Sequence, residues 1–120
     1  MICVIDYGCG NLNSIKNAVD RLNFQCEVSC NPKIISKSDK IILPGVGAFS
    51  AAIEKLKKNK LDTILSEEVL NKKKPILGIC LGFQLMFSES HEFKKTKGLD
   101  WISGSVTKID ADIRLPHNGW

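Results

Sequence analysis

Residues 75–84 read Pro-Ile-Leu-Gly-Ile-Cys-Leu-Gly-Phe-Gln, and no other stretch limits so tightly what this chain can fold into. Ile76, Leu77 and Ile79 around Gly78 predict a buried strand, with Pro75 at its start, where a missing backbone N–H is tolerated. Two glycines then enclose Cys80, and Phe83, Leu85, Met86 and Phe87 predict the apolar start of a helix. Strand, sharp turn and helix in that order describe a nucleophile elbow, the cysteine counterpart of Gly-x-Ser-x-Gly. The central residue of such a turn holds a strained backbone, so its neighbours must be small, as Gly78 and Gly82 are. Its thiol projects from the carboxyl end of a strand and lies at the amino end of a helix, where unpaired N–H groups favour a thiolate. The amide of Leu81, one residue on, is placed to receive a developing oxyanion. The plain alternative for Cys80 is a small apolar residue buried in a core strand.

The chain ahead of this stretch alternates strands and helices. Residues 2–6, Ile-Cys-Val-Ile-Asp, form an apolar run that predicts a buried parallel strand, followed by a glycine-bearing loop through Asn11. Asn13 or Ser14 can cap a helix in which Ile15, Ala18, Val19 and Leu22 share one face. Residues 24–29 alternate as a second strand, which Asn31-Pro32 breaks. Residues 40–43 predict a third strand, ended by Pro44-Gly45-Val46-Gly47. A helix with Phe49, Ala52, Ile53 and Leu56 in register follows, then a second amphipathic stretch over residues 61–70. Residues 88–98 are polar and read as a loop. Residues 101–109 have β character broken by Gly104. The βαβαβ order predicts an α/β fold, an open and mostly parallel sheet flanked by helices, with residues 1–120 as a single domain.

In an open parallel sheet the Pro44-Gly45-Val46-Gly47 turn lies on the same edge as Cys80. The amides of Val46 and Gly47 can therefore join that of Leu81 as an oxyanion hole, although Pro-Gly also makes an ordinary strand-to-helix turn. A base is harder to find. His91 sits in a polar segment that reads as surface, and His117 follows a proline in an irregular one.

Charge and cysteine usage narrow the function class. The formal net charge of +4 comes from scattered lysines without interleaved aromatics, which reads as a solvated face rather than a nucleic-acid stripe. Five cysteines, none spaced Cys-x-x-Cys and none accompanied by paired histidines, argue against a zinc site and suit a reducing cytosol. Cys3 and Cys26 fall in strand-like runs and read as packing residues. No signal peptide and no apolar run long enough to span a bilayer is found, so a cytoplasmic location is expected.

Four ordered motifs together resemble the class I glutamine amidotransferases, and more narrowly the glutaminase subunits of imidazole glycerol phosphate synthases. They are Asp6-Tyr7-Gly8-Cys9-Gly10-Asn11, Pro44-Gly45-Val46-Gly47-Ala48-Phe49, residues 75–84, and Pro116-His117-Asn118-Gly119-Trp120. The resemblance implies a flavodoxin-like amidotransferase fold, incomplete at its carboxyl end, in which Cys80 attacks the side-chain amide of glutamine and ammonia is released. It implies an oxyanion hole from Val46, Gly47 and Leu81, a glutamine pocket lined by Gly47 and Gln84, and no metal or organic cofactor. Asn11 and Trp120 match the face that docks on a (β/α)₈ barrel synthase subunit. That partner uses the ammonia to form imidazole glycerol phosphate and aminoimidazole ribotide in histidine biosynthesis. The stretch over residues 98–102 resembles paralogues that supply ammonia for surface-sugar amidination. The family's catalytic histidine and glutamate lie beyond the Gly-Trp segment, so this chain is expected to be an amino-terminal portion, inactive alone; a non-catalytic partner-binding fragment is the alternative.

Overall fold

The computed structural model describes residues 1–110 and Asp112. His117 and Trp120, both named above, lie outside the described residues. Four parallel strands form the main sheet: β1 (Ile2–Ile5), β2 (Cys26–Ser29), β3 (Lys40–Leu43) and β4 (Ile76–Gly78), in spatial order β2-β1-β3-β4. Strand alternation divides the core between the two faces. Cys3, Ile5, Ile41 and Leu43 point to one side, where they pack with Ile35, Phe49, Ala52, Ile53, Leu56, Leu61 and Leu65. Val4 and Ile42 point to the other, where they meet Val19 with Leu12 and Ile15.

The helices follow from these faces. Helix α1 (Leu12–Arg21) lays Leu12, Ile15 and Val19 on the sheet, whereas Leu22, expected on that face, is 69% exposed. Its cap is Asn11, whose side chain accepts from the Ser14 amide at 3.3 Å, rather than Asn13 or Ser14. A short helix α2 (Pro32–Lys37) occupies the segment expected only to break a strand. Pro32 is its first residue, where the absent N–H costs nothing, and Asn31 caps it. Helix α3 (Phe49–Lys58) buries the four residues predicted for its core face. Helix α4 (Leu61–Ser66) runs into a π-helical turn over Glu67–Asn71 rather than continuing as one regular helix.

Beyond Cys80 the structure departs further from expectation. Helix α5 covers only Leu81–Gln84, and Phe87 opens a strand, β5 (Phe87–Ser90), instead of extending the helix. Strand β5 pairs antiparallel with β6 (Thr96–Lys97) and parallel with β7 (Ile102–Val106), forming a second sheet of three strands. Polar residues 88–98, expected as a loop, thus supply two strands. Strand β5 lies between β6 and β7, and strands this short draw their stability from the strands they pair with rather than from apolar content of their own. Strand β7 continues through Gly104, at φ 146°, but its pairing with β5 slips there: Phe87 faces Ile102 whereas Glu89 faces Ser105.

Candidate active site

In a doubly wound sheet the crevice lies outside the carboxyl ends of the strands, where connections leave in opposite directions. Strands β1 and β3 are neighbours here, and the loops after β1, β3 and β4 converge at that edge. Tyr7, buried after β1, donates its hydroxyl to the Pro44 carbonyl at 2.6 Å. Burial, and to a smaller extent Cys9, pushes its phenol well above the ordinary tyrosine range. The Ile79 amide donates to Leu43 O at 3.0 Å, which extends the β3–β4 ladder to the residue before the cysteine.

Cys80 is exposed and holds φ 55° and ψ −119°, a region that non-glycine residues rarely enter. The turn is closed on itself: Gly82 N donates to Ile79 O at 2.9 Å, and Phe83 N to Cys80 O at 3.0 Å. The flanking glycines are required by close approach. A Cβ on Gly82 would lie 1.9 Å from Leu43 O, and one on Gly78 would lie 2.6 Å from Phe83 Cα. The elbow is therefore pressed directly onto the end of β3. A Cβ on Gly45 would in turn meet Gly82 N at 2.7 Å and Leu81 Cβ at 2.9 Å. The helix after the cysteine has only four residues, so the macrodipole argument for a thiolate weakens; local amides remain as the polar surroundings of the thiol.

The positions singled out in the sequence are thus brought together on one rim, with three exceptions. Val46 and Gly47 are exposed beside the elbow, Gly47 at φ 93° with open space around it. Among the described residues, the amides of Val46, Gly47 and Leu81 donate to no protein acceptor. Gln84 lies on α5, partly exposed, its amide bonded to Cys80 O at 3.2 Å. Asn11 is exposed at the start of α1, where its side chain serves as the cap. The exceptions are His117 and Trp120, which lie outside the described residues, and His91. The Nε2 of His91 sits 3.3 Å from Glu89 Oε1 on the second sheet, paired with no atom of Cys80. No group of three or more metal-ligating side chains occurs among the described residues.

Sequence reasoning missed Glu92. Its carboxylate Oε2 accepts from the Phe49 amide at 2.9 Å, across 43 residues of chain. The signal was available in Ala48, which stands at the N-cap of α3 with no side chain able to cap it.

The other cysteines are distinguished by their surroundings. Burial, then the charge of Glu27, pushes the Cys3 thiol up to about 11. Burial also raises Cys26, which packs under α1. Cys30 is exposed and Cys9 half-buried, with Lys55 Nζ at 3.5 Å from its sulfur.

The family profile described as "Glutamine amidotransferase class-I" matches residues 3–120. "Imidazole glycerol phosphate synthase subunit HisH 2" of Vibrio vulnificus is 48% identical over 122 residues, covering 99% of this chain and 57% of that protein. "Imidazole glycerol phosphate synthase subunit HisH" of Oceanobacillus iheyensis is 45% identical, covering 100% of this chain and 59% of that protein. The chain therefore spans somewhat over half the length of the curated relatives it matches. A solved structure described as "Crystal structure of glutamine amidotransferase" superposes with a TM-score of 0.74 at 14% identity, over 89% of this chain and 56% of that one; at that identity the likeness is one of fold. An elbow cysteine seated on the end of β3, a doubly wound parallel sheet and a family match over nearly the whole chain agree, and the chain belongs to the class-I glutamine amidotransferases.

Proposed function

We propose that this chain carries the nucleophile half of a glutaminase that supplies ammonia to a synthase subunit. Residues 1–120 would be the amino-terminal portion of one amidotransferase domain. Cys80 Sγ attacks the side-chain carboxamide carbon of glutamine. The carbonyl electrons move onto oxygen, held by the amides of Val46, Gly47 and Leu81. Collapse expels the amine, which takes up a proton and leaves as ammonia; water then cleaves the glutamyl thioester to glutamate. Gly47 and Gln84 line the glutamine pocket. The observation that carries this reading is the positive-φ Cys80 exposed between two glycines that tolerate no side chain.

The names of the relatives support the narrower assignment to an imidazole glycerol phosphate synthase subunit; in that reading ammonia would pass to a (β/α)₈ barrel partner, as the sequence resemblance implies. There it would serve imidazole glycerol phosphate and aminoimidazole ribotide formation. Asn11, exposed at the head of α1, and Trp120 would belong to the docking face. A cytoplasmic setting fits the free thiols. Among the described residues no helix is long and apolar enough to cross a membrane.

Site-resolved alkylation at neutral pH tests the activated thiol. Cys80 is expected to react several-fold faster than Cys30, which is also exposed, with Cys3 and Cys26 slowest. Equal rates at Cys80 and Cys30 would remove the nucleophile. Glutamine hydrolysis by this chain alone is expected to be near background, because His91 pairs with Glu89 on the second sheet rather than with Cys80. Turnover that His91→Ala abolishes would instead make His91 the base.

A further inference from the structure

The first amides of a helix have no partner inside it, and a carboxylate is the strongest acceptor a side chain can offer them. In α3 this partner comes from far away. Glu92 follows β5, its own amide bonded to Ser90 Oγ at 3.2 Å, with Ser90 buried. The neighbouring His91 amide donates to Val106 O at 2.9 Å, so the backbone that carries Glu92 is tied to the second sheet. From that fixed base the carboxylate holds Phe49 N. Phe49 is itself buried, and the residues immediately before it are Val46, Gly47 and Ala48. At the other end of that segment, Tyr7 holds the Pro44 carbonyl. Between these two anchors Gly47 is exposed, at φ 93°, with open space where a Cβ would lie.

We propose that Glu92 is a positioning residue. By capping α3 at Phe49 it clamps the carboxyl end of the 44–48 segment, and so holds the Val46 and Gly47 amides where they face an oxyanion formed at Cys80. This rests on the reading of Cys80 as the nucleophile and goes beyond it, because it assigns a task to a residue of the second sheet. Without the cap, the carboxyl end of the segment would keep only the buried Phe49 ring and the Ala52-to-Ala48 backbone bond, its Phe49 amide would be unpaired, and donors displaced by about an ångström lose most of their effect on a transition state.

The test compares two reactions of the same sulfur, resolved at Cys80 by mass spectrometry in the 120-residue chain. Acylation by p-nitrophenyl acetate forms an S–C bond, passes through an oxyanion, and expels p-nitrophenolate with the ester electron pair. Alkylation by iodoacetamide displaces iodide and forms no oxyanion. The ratio of the two rates therefore reports the oxyanion donors, and the ester has no amino-acid head group that Glu92 could bind. Glu92→Leu is expected to lower the ratio by about tenfold or more. It should also speed hydrogen exchange at the Phe49 amide. Glu92→Gln, which keeps an acceptor oxygen at the same reach, is expected to stay within about threefold of the wild type. An unchanged ratio in Glu92→Leu would overturn the proposal, as would a Gln variant that falls as far as the Leu variant. A wild-type ratio no higher than that of a small free thiol would overturn the nucleophile reading itself, and the proposal with it.

Discussion

Cys80 holds a backbone conformation that costs a residue with a Cβ about 1–3 kcal/mol. Glycine would remove that cost, at the expense of about 0.5–1 kcal/mol of extra unfolded-chain freedom. Cys80→Gly is therefore expected to raise the stability of the chain by about 1 kcal/mol, while removing the thiol on which the chemistry depends. Urea unfolding of the two proteins measures this; a lower midpoint in the variant would show that the elbow is not strained. The flanking glycines behave in the opposite sense, since each is fixed by backbone atoms that a side chain would strike. Gly-x-Cys-x-Gly was legible as a motif for this reason: the steric demand is local and leaves its mark within five residues. For the bond from Glu92 to Phe49 the chain shows only the need, in an Ala48 that cannot cap α3, and not the partner, because its two ends are 43 residues apart.

At the level of elements, the π-helical turn is held by an ion cluster. Glu68, only 3% exposed, meets Lys72 Nζ and Lys74 Nζ, each at 2.7 Å, and Lys74 also donates to the carbonyls of Ile35 and Ser36 on α2. The cluster thus joins α2, the π turn and the lead-in to β4. Burial raises the Glu68 carboxyl, but hydrogen bonds from Lys72 and Lys74 and the charge of Lys74 outweigh it, and the group is held down at about 2. A carboxyl lowered on folding stabilises the native state wherever it is ionised in both states. That contribution is complete above about pH 4.5 and fades as pH falls toward 2. Glu68→Ala is expected to cost about 3 kcal/mol at pH 7 by leaving Lys74 without its counter-ion. The difference from wild type should shrink steadily between pH 5 and about 2. Thermal midpoints across that range would check it, and a constant difference would contradict it.

Taken whole, the molecule leaves one side of its main sheet open among the described residues. Strand β4 is paired only with β3, and around it Leu77 is 57% exposed, Phe83 49% and Ile79 37%. The sequence predicted a buried strand here, and the apolar composition that misled it remains, now on the surface. Contiguous apolar side chains beside an unpaired edge are a template for association. Leu77→Lys is expected to reduce both dye binding to exposed apolar surface and concentration-dependent self-association, with far-UV circular dichroism unchanged. Unaltered self-association would place the contact elsewhere.

The four parallel strands, helices α1 and α3, the core faces of β1, β3 and α3, and the glycine-bounded cysteine were determined by the sequence alone, whereas α2 and the exposure of Leu22 and Leu77 were not. Each of the former is written in residues a few positions apart, through a repeat of two or 3.6 or a steric demand on the next atom along. Tertiary structure decided the rest. The polar residues 88–98 became strands because β5 and β6 pair with each other and β5 pairs with β7, Asn11 and not Asn13 became the cap, and Ala48 borrowed a carboxylate from the residue after β5. Hydrogen-bond partners supplied across the fold leave no period in the chain, and so only the folded arrangement could assign them.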